Sequence, residues 1–588
     1  MTEAAALFQL KKLRESGTRF MHRHHARRAA RVAVSTSFVA VPDPRTIGVV
    51  ARGKQLIDGH FLFSGLRVEG PKTSIWDVAK DNPEVRDQIH GCVWLDDLAA
   101  LGDELAREKA RLWVREWLDR YGDGRGAGWT PGITGRRLIR LINHGYFIMR
   151  GQDKQATDRL FRSMGQQTLF LARRWKAAQP GLRRFEALAG LIYAGLTLKD
   201  MAASVDEAVA ALAIDCDTQI DAQGGIATRN PEELLEVLGL LNLARDVLTE
   251  AGRIPPPSIT SAILRIAPVL RALRHADGSL ARFHGGGAGI EGRLDAALAA
   301  AGVRSLPKHA LHMGYARLSC GRTTVIVDAA APPTGETSVD AHASTLALEM
   351  TSGRRPLIVN CGSGRRFGKE WRRASRATPS HSTMMIEGVS SSHLSAAAVD
   401  DQRRELLVEV PRLVRCNFLS AGIGRKLELA HDGYQASHGI THARVLTLSV
   451  DGATLKGDDI FTTLDKDDEA RFDKILTSSV DMGIPFAIRF HLHPDVTPHI
   501  DTDGTLASLQ LASGETWVFR HDGTAKLSLS ASVYLQNGRL KPRATQQMVL
   551  SGHALAYATR IRWSLSKAPE TPGFLRDVSE TDPMDLTD

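Results

Sequence analysis

No apolar run in this chain approaches the roughly 18 residues needed to cross a bilayer, so no transmembrane helix is expected. Cysteine is scarce and scattered: Cys92, Cys216, Cys320, Cys361 and Cys416 are odd in number and include no CxxC pair. A disulfide framework is therefore not expected, which suits a reducing compartment and is also compatible with the periplasm. Aromatic residues make up only 6% of the chain, and no paired Cys/His finger, basic zipper or RNP-like aromatic signature occurs. Nucleic acid is not an expected partner. GxSxG, Walker A and HExxH motifs are all missing. The Gly-rich stretch Gly285–Gly289 does not follow a clear strand, so it does not read as a phosphate cradle.

What is present is a 588-residue chain with 75 Lys and Arg against 66 Asp and Glu, a net charge of +9. That length calls for two or three domains. The modest positive excess is compatible with a solvated basic surface or with attraction for a polyanion. A basic stretch from Arg23 to Arg31 precedes the β-branched run Val32–Val41 and reads as a basic arm leading into a strand rather than a secretory signal. Gly59–Gly70, short and bounded by glycines, reads as a strand or hairpin.

From about 93 to 300 the periodicity is helical. Leu138, Ile139, Leu141 and Ile142 make an apolar face in a segment starting near Thr134, and Glu186–Leu198 is a second apolar helix. Asn230-Pro-Glu-Glu233 is a helix start, with Asn230 as N-cap, Pro231 at the first helical position and Glu233 able to complete a capping box. Seven to ten helices with short connections fit, an array of helical hairpins or an (α/α) toroid. Beyond about 305 the texture turns to short strands: two runs around a Gly in Tyr315–Asp328, alternation in Arg444–Val450 before an Asp451-Gly452 turn, and further runs near 487–493, 515–520 and 527–534. These predict a large antiparallel β-sandwich. The expected division is an N-terminal arm over 1–92, a toroid over 93–303, a β-sandwich over 304–568 and a polar tail over 569–588, with the boundary in Gly285–Gly292 or just after Ala301.

Four places combine polar residues with ordered surroundings. Asn143 and His144 end an apolar helical stripe and could both grip one carboxylate, or simply terminate the helix. Tyr193 lies inside an apolar helix, as a functional hydroxyl or a core tyrosine. Gly224–Pro231 delivers Arg229 to a helix N-terminus, where it could bind a carboxylate or sulfate, or remain solvated beside a capping turn. In the β half, His342, Asn360 with Cys361, and His381 could share a metal or be placed by hydrogen bonds. His491 and His493 have metal-like spacing on one strand face, but a second short-spaced ligand pair is missing.

Taken in order, Asn143-His144, Tyr193, the GGxxxRNP segment at 224–231, DAHAST at 340–345 and SHST at 380–383 resemble the bacterial heparinase II/III superfamily, with a weaker match through His431-Asp-Gly-Tyr434. The resemblance implies an (α/α) toroid followed by an antiparallel β-sandwich. It implies β-elimination at the uronic acid residues of an acidic polysaccharide or oligosaccharide. Asn143 and His144 would neutralise the carboxylate and Tyr193 would serve as acid or base. His342 joins the catalytic set, and substrate contact falls to Arg229, Asn230, Asp340 and His381. No cofactor is required for the reaction. A structural zinc found in some members would fall on His342, Asn360 and His381. The chain departs from the family's pattern in several places. Asp340 and Ser344 stand where the first His and the Asp of a His-x-His-x-Asp run belong. Asn360 stands where a ligand Asp belongs, with Cys361 beside it, and Ile226 replaces a His. Phe367 and Trp371 occupy the region of a β-domain Tyr used by some members. Two other functions remain open: a non-catalytic glycan-binding or cell-envelope protein on the same fold, and a glycoside hydrolase. A hydrolase needs a pair of carboxylates across the bond, and none stands out among Glu186, Glu232, Glu233, Asp277 and Glu291. Lack of a standard signal peptide points to the cytoplasm and the family to the periplasm or envelope; a homodimer is left open.

Overall fold

A computed structural model describes residues 3–569 apart from 65, 79–81, 306–309, 396–404, 422–423, 479–482, 537–538 and 540; most of the expected polar tail lies outside the described residues. The chain divides into two compact units. The helical unit comprises residues 1–226, 233–267 and 290–304. The β unit comprises 227–232, 268–289 and 305–588.

In the helical unit the basic stretch expected to form an arm is the last part of a 28-residue helix, Glu3–Ala30. Val32–Val41 does not form a strand: only an isolated bridge, Phe38 with Leu198, is made there. The β-branched run lacks a partner edge, and its backbone groups are taken by helix ends instead. Val39 N donates to Thr197 O, and Lys199 N donates to Ser37 O, each at 2.9 Å. Gly59–Gly70 does form the expected hairpin, His60–Phe63 against Leu66–Glu69. Ten α-helices follow between Val93 and Ala301 among the described residues. The core near their start is built on Trp76, Trp94, Trp113, Trp117 and Trp129, all buried. Arg137 lies within it, stacked 4.2 Å above Trp117 and bonded to Gln167 and to the carbonyls of His90 and Gly128.

One helix pair positions the residues of interest. Helices Pro131–Asn143 and Leu182–Thr197 cross where Gly135 meets Gly190. A Cβ at Gly190 would sit 2.5 Å from the Gly135 Cα, and one at Gly135 only 2.2 Å from the Glu186 carbonyl oxygen. Only glycine allows this approach, because any side chain would push the axes apart. Asn143, two turns beyond Gly135, and Tyr193, one turn beyond Gly190, are thereby brought into contact.

The β unit contains an eight-stranded and a nine-stranded sheet, every named pairing antiparallel. Strands such as Ile440–Ser449 alternate buried and half-buried residues, as a sheet with one covered face must. Inward residues of both sheets form one core, including Leu318, Met350, Ile488 and Met548 from one sheet and Leu427, Leu446, Trp517 and Leu565 from the other. Phe490 meets Trp563 edge-on, with ring centroids 4.8 Å apart. The strands expected around 315–328, 444–450, 487–493, 515–520 and 527–534 are all present.

Candidate functional site

Two constellations of predicted residues result, one in each unit. In the helical unit the Tyr193 hydroxyl donates to Asn143 Oδ1 at 2.8 Å. Asn143 is the last residue of its helix, and its Nδ2 is buried without a hydrogen-bond partner. Burial pushes the Tyr193 phenol well above its ordinary value. His144 Nε2 lies 2.9 Å from Asp96 Oδ1 and 3.1 Å from Thr46 Oγ1. Asp96 is itself buried, which works against its charge, but Arg140 at 2.7 Å and hydrogen bonds from His144 and Thr46 hold it down at about 2. Asp96 is therefore a fixed anion that orients the His144 ring. Next to Thr46, Arg45 pairs with Asp246 and Glu250. Asn143, His144 and Tyr193 are only 2–4% exposed. The sequence reading missed Asp96, Arg140, Arg45 and Thr46. The signal for Asp96 was two adjacent acids in the otherwise apolar run Val93–Leu101.

In the β unit the structure corrects the expected role of Arg229. It does stand just before helix Pro231–Glu250, and Asn230 caps that helix by accepting from Glu232 N at 3.0 Å. All five guanidinium N–H groups are already engaged, however. They donate to the carbonyls of Met313, Gly314, Ala330 and Ala331 and to Asp328 Oδ1. Arg229 is buried, and its guanidinium lies 4.7 Å from the Tyr315 ring centre. An arginine with no free donor cannot clamp a ligand carboxylate; Arg229 is a structural cation. Its partner Asp328 is fully buried, also accepts from Ser344 Oγ at 2.7 Å, and lies 3.3 Å from His284 Nε2. Ser344, which departs from the expected Asp, thus donates its hydrogen bond to a carboxylate supplied from the end of strand Thr323–Asp328. Asp340 is held by Arg365 at 3.0 Å and Arg372 at 2.8 Å, so it positions two arginines rather than presenting a free carboxylate to an acidic ligand.

His342 and His381 come together, with ring centroids 5.1 Å apart. Burial lowers both, His381 to about 3, so both are neutral imidazoles. His342 Nδ1 and both ring nitrogens of His381 lack hydrogen-bond partners. His342 is fixed from behind, its backbone N donating to His284 Nδ1 at 3.1 Å. Asn360, the third expected metal ligand, is turned to other partners. Its Oδ1 accepts from Ser382 N at 2.9 Å and its Nδ2 faces Glu349. Glu349, lowered to about 2 against its own burial, is bound by His275 and Arg282. Cys361 does not stand in for the missing acid: its Sγ faces His491 Nδ1 at 3.5 Å. Among the described residues no three His, Cys, Asp or Glu side chains gather in a geometry that would hold a metal ion. The donor set present here does not fit the structural zinc that the resemblance implied.

The sequence model of the family described as "Heparinase II/III-like, C-terminal" matches residues 303–564. Over 536 residues the chain is 31% identical to FtsZ-localized protein C of Caulobacter vibrioides, a match covering 90% of this chain and 89% of that relative. The chain belongs to the heparinase II/III-like superfamily. Its fold is that of solved heparinases. It superposes on heparinase III with a TM-score of 0.66 at 13% identity, covering 95% of this chain and 91% of that one. A mutant of the heparan sulfate lyase HepC from Pedobacter heparinus gives 0.56 at 14% identity, covering 95% and 89%. The expected fold class, an (α/α) toroid followed by a large antiparallel β-sandwich, is therefore the fold of this superfamily member. No helix among its described residues is long and apolar enough to cross a membrane.

Proposed function

We propose that this superfamily member is a polysaccharide lyase that cleaves a uronate-containing acidic polysaccharide by β-elimination. The observation that carries the reading is the Asn143–Tyr193 pair: a buried amide donor without a partner, fixed beside a neutral phenol. The proton at C5 of a uronate is too weakly acidic to leave until the adjacent carboxylate is neutralised, and Asn143 Nδ2 is a preorganised donor for that oxygen. Because burial holds Tyr193 protonated at neutral pH, its role is that of acid rather than base. An Nε2–H on His144 directed at Asp96 leaves Nδ1 with its lone pair, which makes His144 the base. The C5 proton passes to His144, the C4=C5 double bond forms as the C4–O4 bond breaks, and Tyr193 gives its proton to O4.

A second reading is favoured by the relative named for localisation with FtsZ. On this reading the chain keeps the fold, binds glycan at the cell envelope and turns nothing over. Burial of the three side chains and the departures at Asp340, Ser344 and Asn360 support it. A hydrolase has less support: Glu186 is tied to Arg136, and Glu232 accepts from Gly287 N.

The test is ultraviolet absorbance of the unsaturated uronate product across alginate, glycosaminoglycans and bacterial uronate polymers. Signal from the native chain is expected to drop at least about 100-fold in Tyr193→Phe, whose loss of one hydrogen bond should cost stability only about 1 kcal/mol. Asn143→Ala should lower turnover more than binding. Binding without any unsaturated product would favour the second reading; residual activity in a strongly destabilised Tyr193→Phe would make Tyr193 a core residue.

A further inference from the structure

The structural zinc that the resemblance implied would link the loop of His342 to the loop of His381. Here the third ligand position, Asn360, is held by an amide with other partners. The two loops are nonetheless tied together. Arg444, on strand Ile440–Ser449 and fully buried, donates through Nη1 to Leu346 O at 2.8 Å and to Ser382 O at 3.1 Å. These are one carbonyl from each loop, four residues beyond His342 and one beyond His381.

The guanidinium is itself held rigidly. Its Nε and Nη2 donate to the two oxygens of Asp459 at 2.7 and 3.2 Å. Asp459 also accepts from Trp563 Nε1 at 2.9 Å and from His442 Nε2 at 2.8 Å. Behind His442 the chain continues in one direction. Gly433 N donates to His431 Nδ1 at 3.0 Å, which leaves the His431 Nε2 proton for His442 Nδ1 at 3.3 Å. Two more bonds join the loops, Leu348 N to Ser382 O and Thr378 Oγ1 to Ala343 O, while Ser382 N donates to Asn360 Oδ1.

We propose that in this chain Arg444 supplies the cross-link between the two histidine loops that the implied zinc would otherwise make, so that the β unit folds without metal while keeping a half-built site at His342 and His381. A guanidinium anchored on a buried carboxylate is a fixed positive charge that gathers carbonyl oxygens from both loops, as a cation between the loops does through its ligands. The two imidazoles keep three unpartnered nitrogens, all buried, on rings 5.1 Å apart. One anionic oxygen would complete three protein ligands for zinc, and Asn360→Asp supplies it once repulsion by Glu349 turns the new carboxylate from its present partners toward the histidines. The proposal is independent of whether the chain turns over sugar.

The test uses the full chain, zinc analysis and thermal unfolding. Native protein should hold far less than one zinc per chain, and chelator should move its Tm by less than about 1 °C. Asn360→Asp should bind one zinc and gain roughly 5 °C from it. Arg444→Met should lower Tm by roughly 10 °C, because it strands a buried carboxylate. Zinc should not restore that loss while Asn360 is intact, but in the Asn360→Asp, Arg444→Met double variant it should restore at least half of it. Native protein that holds about one zinc, and loses several degrees when stripped, overturns the proposal. So does a folded Asn360→Asp that takes no zinc, or zinc that raises the single and double variants equally. Should Asn360→Asp fail to fold, the metal content of the native chain and of Arg444→Met decides.

Discussion

Lowering the pH from 7 to 5 is expected to remove at least about 4 kcal/mol of stability from the β unit and about 3 kcal/mol from the helical unit. The cause is buried neutral histidine. In the β unit burial sets His493 at about 4 and His381 at about 3. In the helical unit burial sets His22 at about 4 and His90 at about 3. All four are lower in the folded state than the value near 6.5 of an unfolded histidine. The unfolded chain therefore binds protons between pH 6.5 and 4 that the folded chain refuses. The stability these groups contribute is complete above pH 6.5 and falls as the pH drops toward their folded values. Each contributes a loss of about 2 kcal/mol between pH 7 and pH 5. His284, His342, His431 and His442 in the β unit are lowered as well and act in the same direction. Asp97 works the other way. Burial raises it to about 6, so it is protonated in the folded helical unit at pH 5 and returns about 1 kcal/mol there. On acidification the β unit should therefore loosen before the helical unit. Six of the nine tryptophans (76, 94, 113, 117, 129 and 175) lie in the helical unit, so tryptophan fluorescence follows mainly that unit, while hydrogen exchange resolves the β strands. Equal urea midpoints at pH 7 and pH 5 would show that these imidazoles are not held neutral.

Replacing Arg229 by Met is expected to cost 3 kcal/mol or more, roughly 3–5 by analogy with other broken buried pairs, and to show first as loss of soluble protein. The substitution leaves Asp328 fully buried with one cation fewer and strips the partner from four backbone carbonyls. Arg229→Lys should also destabilise, because one ammonium with three protons cannot serve five acceptors arranged around a planar fork. Arg229 also has a φ of 51°, a left-handed conformation that its hydrogen bonds must hold in place. A ligand-binding arginine would behave differently: its loss would weaken glycan binding and leave the urea midpoint unchanged. Measuring both quantities on both variants separates the two roles.

Much of the architecture was legible in one dimension. The hairpin at Gly59–Gly70, the cap at Asn230 and the strands from 315 onward follow from local rules: glycine at turns, an Asn before a Pro, alternation of apolar residues. The Val32–Val41 run misled because β-branching indicates extended backbone without supplying a partner strand. The GGxxxRNP segment was legible as a helix start, yet the work of its arginine was not. Nothing near Arg229 in sequence announces Met313, Asp328 or Ala330, which lie 84 to 101 residues away.

The heparinase-like division into a helical toroid and a β-sandwich was determined by the sequence alone, because periodicity and turn residues act over a few positions. So was the choice of Asn143, His144, Tyr193, His342 and His381 as residues to watch. Tertiary structure alone decided what these groups can do. The Gly135–Gly190 crossing joins Asn143 to Tyr193, and burial keeps that tyrosine protonated. Asp96 orients His144. Asn360 turns toward Ser382 and Glu349, and Arg444 binds the two histidine loops. Charge state and hydrogen-bond supply depend on which distant groups share a dry interior, and that is settled only when the chain has folded.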